Sequence, residues 1–132
     1  MAEEIKKVDL LEGAENNPDN LLVVKNLKKY FPIKSSFFKM TVGNVKAVDG
    51  VSFAIKRGTT MGLVGESGCG KSTIGRTILR LQDKTEGEVY FNGRDLFSLS
   101  KDERSKERPN IQIIFQDPFS SLDPRQSVMQ LI

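Results

Sequence analysis

The sequence predicts an α/β fold, with an antiparallel β part over residues 21 to 58 and 87 to 96 packed on a parallel core containing strands at 60 to 64 and 111 to 115. Three observations predict it. First, Gly65-Glu66-Ser67-Gly68-Cys69-Gly70-Lys71-Ser72-Thr73 fills the pattern G-x-x-x-x-G-K-[ST]. The apolar run Thr60-Met61-Gly62-Leu63-Val64 leads into it, and Ile74, Ile78, Leu79 and Leu81 follow at helical spacing. Second, Val51, Phe53 and Ile55 alternate with Ser52, Ala54 and Lys56, the period of a half-buried strand. Third, Glu88-Val89-Tyr90-Phe91 runs into Asn92-Gly93, a strong two-residue hairpin signal.

In chain order, residues 1 to 19 mix both charge signs with Gly13, Asn16, Asn17 and Pro18 and show no period, which predicts a flexible lead-in. Leu21 to Lys25 is a strand that continues to Tyr30-Phe31 and is ended by Pro32. Residues 33 to 44 hold Phe37, Phe38 and Met40 and close with Gly43-Asn44, as a loop or small hairpin. That segment is either a contact surface for a partner or a flap on its own sheet. The second strand runs from Val45 to Ile55, and Arg57-Gly58 turns the chain toward the glycine loop. A helix is predicted from Lys71 to Leu81, a turn at Lys84 to Gly87, and a return strand from Arg94 to Leu96. Ser100-Lys101-Asp102-Glu103 has the S-x-x-E form that caps a helix, so Lys101 to about Glu107 forms a short polar helix stopped by Pro109. Ile111 to Phe115 is apolar enough for a buried strand that delivers Gln116-Asp117-Pro118, and Ser127 is an N-cap candidate shortly before Ile132.

The chemistry lies in residues 65 to 73. Glycines at 65, 68 and 70 let the backbone approach a ligand, so that successive N–H groups, including those of Glu66, Ser67 and Cys69, converge on phosphate oxygens. The following helix aims its dipole and its first N–H groups at the same anion. Lys71 supplies a positive charge for the terminal phosphates of a nucleotide, and the Ser72 hydroxyl suits Mg²⁺. The plainer reading is a glycine-rich turn that only caps a helix. The strand, loop and helix in sequence favour a site for a nucleoside triphosphate.

Composition bounds the rest. A chain of 132 residues is one domain or a piece of one, and 38% hydrophobic against 28% charged residues fits a folded protein and not a disordered one. The net charge of +3 comes from Lys and Arg scattered among Asp and Glu, so no nucleic-acid footprint is expected. No apolar run approaches the roughly 20 residues of a membrane span, and Met1 to Leu11 has no hydrophobic segment, so a cytoplasmic protein is expected. Cys69 is the one cysteine, which excludes an internal disulfide and suggests a compact filler of the loop.

Taken together, Leu27-Lys28-Lys29-Tyr30-Phe31-Pro32-Ile33, Val45-Lys46-Ala47-Val48-Asp49-Gly50-Val51-Ser52-Phe53, Leu63 to Thr73 and Ile111 to Arg125 resemble the N-terminal portion of an ABC-transporter ATPase subunit. More narrowly, they resemble the subunits of oligopeptide and dipeptide importers. The resemblance implies a P-loop NTPase core with an antiparallel β subdomain, a partial ATP-binding domain over residues 20 to 132, and a chain that stops before the helical subdomain. It implies ATP and Mg²⁺ as ligands, with Lys71 and Gln116 in the chemistry and Ser72 and Gln116 toward the metal. Tyr30 would stack on adenine and Thr73 would face the α-phosphate. A strand-end aromatic is the plainer reading of Tyr30, and a polar residue closing a strand is that of Gln116. Phe119 to Leu122 would begin the surface facing a transmembrane subunit, or a plain loop. The partners implied are transmembrane permease subunits and a second, like or unlike, ATPase subunit, on the inner face of the cytoplasmic membrane.

Three features of such relatives are missing from these residues: an L-S-G-G-Q signature, an apolar strand ending in Asp-Glu, and a switch histidine, the histidine count being zero. A second reading is therefore a nucleotide-binding module without turnover. The third, a P-loop GTPase or small-molecule kinase, calls for D-x-x-G and N-K-x-D or an Arg-rich lid, and neither GTPase motif is found. The core strands expected from beyond Ile132 would also leave open strand edges and uncovered apolar surface in their absence.

Overall fold

A computed structural model describes residues 11–34, 41–115 and Met129 of the chain. Its strands are β1 (Asn20–Lys34), β2 (Thr41–Lys56), β3 (Glu86–Phe91) and β4 (Arg94–Asp95), and its helices are α1 (Lys71–Ile78) and α2 (Lys101–Glu107). The strands form one antiparallel sheet in the order β2-β1-β3-β4. Ile74 of α1 lies in a core with Val24, Leu27, Val48, Val89, Phe91 and Leu96, and Ile78 packs against it. The helix behind the glycine loop is thus fixed to the sheet by its apolar side.

β1 does not end at Pro32. Pro32 pairs with Asn44 and the strand runs on to Lys34, paired with Thr41, so the described ends of the predicted segment belong to two long paired strands. Pairing of β1 with β3 covers only Leu22 to Lys28. Beyond that point, among the described residues, β1 has a strand partner on one side only, where a residue without an N–H is tolerated. Phe37, Phe38 and Met40 lie outside the described residues, as do Gln116, Phe119 to Leu122 and Ser127.

The lead-in is also more ordered than its composition suggested over residues 11–19. A 3₁₀ turn at Ala14–Asn16 is held to the sheet by an ion pair between Glu15 and Lys25, and by the Asn20 amide donating to the Ala14 carbonyl at 2.9 Å. The Arg57 guanidinium adds a bond to the Pro18 carbonyl at 2.8 Å. These partners lie 6, 10 and 39 residues apart, separations that no helix or strand period announces.

Two local signals fold as read. Asn92 and Gly93 take φ of 51° and 74°, the pair of positive values that a two-residue hairpin turn of matching twist needs. Ser100 and Glu103 form the reciprocal capping box, and the carboxyl of Glu103 is held below its ordinary range chiefly by the Ser100 N–H. Arg94 ties this helix to the hairpin through Glu103 at 2.7 Å and Glu107 at 3.1 Å.

α1 stops at Ile78, three residues short of the predicted end, because Arg80 adopts a left-handed φ of 54°. Arg80 N–H then reaches the Thr77 carbonyl at 3.0 Å and Leu81 N–H reaches that of Arg76 at 2.9 Å, which satisfies the orphan carbonyls of the last turn. The strained backbone is compensated by the side chain. Its guanidinium donates to the carbonyl of Leu96 at 2.6 Å and stacks 5.0 Å from the centre of the Phe97 ring. Arg80→Ala is therefore expected to lower the unfolding free energy by about 2 kcal/mol, the worth of a charged hydrogen bond. Arg80→Gly should lose about 1 kcal/mol less, because glycine relieves the left-handed strain. Urea unfolding of the three proteins orders them, and an alanine variant as stable as the glycine one would remove the strain argument.

The parallel core is where structure and expectation part. Residues 60–64 and 111–115 form no strand, and Val64 and Ile114 are 91% and 96% exposed. A strand exists only by pairing, and among the described residues none runs alongside these two segments. Met61, Leu63, Ile113 and Phe115 are exposed with them.

Candidate functional site

Gly70 is the pivot of the site. It caps α1 with φ of 94° and offers no side chain to its first turn. A Cβ built there would stand 2.2 Å from the carbonyl oxygen of Ala47, so the loop lies directly on the backbone of β2. β2 meets it with an irregularity: Lys29 pairs with Val48 and Tyr30 with Lys46, which leaves Ala47 as an extra residue. Below this contact, Val48 and Ile74 are buried in the same core.

The first intrahelical bond of α1 is Ile74 N–H to the Gly70 carbonyl, at 2.9 Å. The N–H groups of Lys71, Ser72 and Thr73 precede it and receive no side-chain cap. Three donors and the positive end of a helix dipole therefore face the loop. Lys71 curls over the same place. Its ammonium donates to the carbonyls of Gly65 at 2.8 Å and Glu66 at 2.5 Å and stands 3.5 Å from the Cys69 sulfur. Glu66, Ser67, Gly68 and Cys69 are exposed, with Cys69 N–H bonded to the Glu66 carbonyl at 3.3 Å.

The Ser72 residue is exposed on the first turn of α1, while Thr73 is half-buried and its carbonyl accepts the hydroxyl of the fully buried Thr77 at 2.7 Å. Among the described residues no three His, Cys, Asp or Glu side chains stand together as a metal cage. The uncapped N–H groups, the Lys71 ammonium and the exposed Ser72 are groups of the kind that a polyphosphate with its Mg²⁺ would call for.

Tyr30 reaches the site through the sheet. It pairs with Lys46, the neighbour of Ala47. Its hydroxyl donates to the Asp49 carboxylate, its N–H donates to the Thr85 hydroxyl at 2.9 Å, and the Lys46 ammonium lies 5.3 Å from its ring centre. Lys46 also pairs with Asp49 at 3.2 Å. The bond to Asp49 raises the Tyr30 hydroxyl above its usual range, and the same bond, followed by that to Lys46, lowers the Asp49 carboxyl. Sequence reasoning missed Lys46, Asp49 and Thr85. The one available signal was Gly50 inside an alternating run, which marks a bulge. Gln116 lies outside the described residues.

Comparison with known proteins gives a consistent result. The family model described as ABC transporter matches residues 48–131. The oligopeptide transport ATP-binding protein AppF of Bacillus subtilis is 54% identical over 117 residues, which is 88% of this chain and 36% of that protein. The dipeptide transport ATP-binding protein DppF of Escherichia coli is 46% identical over 112 residues, 85% of this chain and 33% of that one. The chain thus spans about a third of the length of these curated relatives. Among solved structures, cbiO1 of Clostridium perfringens, part of the ABC transporter complex cbiONQ, matches at a TM-score of 0.60 and 28% identity over 80% of this chain and 38% of that one. A dimeric ATP-binding cassette in a post-hydrolysis state bound to ADP and Pi matches at 0.53 and 34%, over 64% of this chain and 34% of that one.

Proposed function

This chain belongs to the ABC transporter family, and from that premise we propose that residues 20 to 132 are the nucleotide-binding part of an ATPase subunit that powers peptide import. The observation that carries the proposal is the uncapped start of α1 behind Gly70, with the Lys71 ammonium gathered over the same loop. The peptide as cargo is supported by the relatives, which are named for oligopeptide and dipeptide transport.

In this proposal the N–H groups of residues 65 to 73 bind the phosphates of ATP, and Lys71 holds the β- and γ-phosphates by exchanging carbonyl bonds for phosphate bonds. Thr73 faces the α-phosphate region and Tyr30 stacks on the base. Ser72 offers its hydroxyl to Mg²⁺, and Gln116, by resemblance to relatives, carries its amide toward the metal and the attacking water. Mg²⁺, held by Ser72 and Gln116 when bound, would supply positive charge to neutralise what develops on the transferred group. The partners proposed are transmembrane permease subunits and a second ATPase subunit, with the protein peripheral on the inner face of the cytoplasmic membrane. No described helix is long and apolar enough to cross a membrane.

Cys69 tests the site directly, since it is exposed and its sulfur lies beside the Lys71 ammonium. Maleimide labelling of Cys69 is expected to slow when Mg-ATP saturates the chain, because phosphates over the loop cover the thiol. A labelling rate unchanged at saturating nucleotide would place ATP elsewhere.

A further inference from the structure

The side chains around Tyr30 form a device that a stacking aromatic does not by itself require. Tyr30 stands on the part of β1 whose one strand partner among the described residues is β2, outside the hydrophobic core, where a phenol ring gains little from core packing. Left alone, such a ring samples several rotamers. Here Asp49 accepts the Tyr30 hydroxyl with one carboxylate oxygen and the Lys46 ammonium with the other, and that ammonium lies over the ring.

Backbone irregularities in β2 build this arrangement. Leu27 pairs with Val51 and Lys29 with Val48, so Asp49 and Gly50 together oppose Lys28, and Gly50 takes φ of 74°. A bulge of this kind re-aims a side chain out of the regular alternation. It sits next to the second irregularity, at Ala47, which lays the backbone of β2 against Gly70 of the phosphate loop. The ring holder and the loop support are therefore consecutive features of one strand.

We propose that Asp49 is a positioning residue for the base of the bound nucleotide, fixing the Tyr30 ring through its hydroxyl while Lys46 closes one face, so that stacking is directed to the other. This rests on the reading that Tyr30 stacks on the base. Asp49 acts by ordering the ring before the nucleotide arrives, which removes part of the entropy loss of binding. Lys46 contributes the second contact, and its charge over one face keeps the base from choosing between two.

The sequence has two tyrosines and no tryptophan, so in a Tyr90→Phe background the emission of the chain reports on Tyr30 alone and follows binding. In that background Asp49→Ala is expected to weaken Mg-ATP binding about two- to tenfold, the range set by ordering one side chain. Binding of inorganic tripolyphosphate, which has no base, should not change. Tyr30→Phe, scored by calorimetry because it removes the fluorophore, should show a similar loss, and adding Asp49→Ala to it should cost little more, since both changes break one contact. Asp49→Asn keeps an acceptor for the hydroxyl and should retain most of the affinity.

The outcomes separate the two ideas. If Tyr30→Ala leaves ATP affinity unchanged, the base does not stack there and the proposal falls with that reading. If Tyr30→Ala weakens ATP while Asp49→Ala and Tyr30→Phe do not, the stacking stands and Asp49 has no positioning role. An equal loss of tripolyphosphate binding in Asp49→Ala and Asp49→Asn would show that Asp49 acts on the loop through the fold, and would overturn the proposal as well.

Discussion

ATP affinity is expected to fall about tenfold or somewhat more when Lys71 is replaced by alanine, from the lower part of the about 1.5–3 kcal/mol that a hydrogen bond to a charged group contributes. The upper end is not expected. Lys71 already donates to the carbonyls of Gly65 and Glu66, so phosphate replaces existing bonds and the net gain is smaller than the gross one. Lys101→Ala is the control, because Lys101 is an exposed residue at the start of α2 and only a general loss of positive charge is tested there. It should stay within about twofold of the parent, in keeping with the weak, screened influence of a distant surface charge. Equal affinities for the two variants in a calorimetric titration would sink the assignment of residues 65 to 73.

A polypeptide of these 132 residues, by itself, is expected to bind ATP and release no phosphate above a buffer blank. The residues proposed to clamp the nucleotide are present: Lys71, Ser72 and Gln116. The signature motif, the Asp-Glu strand end and the switch histidine that the resemblance calls for are not in this sequence, which has no histidine at all. Groups that act only in the transition state raise the rate without being needed for ground-state binding. A single such donor is commonly worth about 10²–10³-fold, so the loss of several leaves no measurable turnover. A steady release of phosphate that scales with the polypeptide and disappears in Lys71→Ala would reverse this expectation, and would mean that a catalytic base lies unrecognised within it.

The legible parts of this protein share one property, which is that a few neighbouring residues decide them. Asn92-Gly93 reads as a hairpin because positive φ is cheap for those two residues. Ser100 and Glu103 read as a cap because the bonds they make are three residues apart. The glycine loop and Lys71 carry a motif of fixed spacing for the same reason, and the family match over residues 48–131 agrees with the resemblance that it carried. Arg80 was not legible. Arginine has no preference for the left-handed region, and it sits there because Leu96 and Phe97, sixteen and seventeen residues on, receive its side chain.

The sequence by itself determined that a glycine loop ending in Lys71 stands before a helix, that a tight hairpin and a capped polar helix follow, and that the chain is of the ABC transporter kind. Local backbone chemistry and fixed spacing suffice for each of these. Tertiary structure alone decided that the β2 backbone at Ala47 supports Gly70, that the bulge at Asp49 and Gly50 sets a carboxylate under the Tyr30 hydroxyl, and that residues 60–64 and 111–115 stay unpaired. Strand register, bulges and pairing depend on partners far along the chain. An apolar run states only that a segment can be a strand, whereas a neighbour with free N–H and C=O groups alongside it decides that it is one.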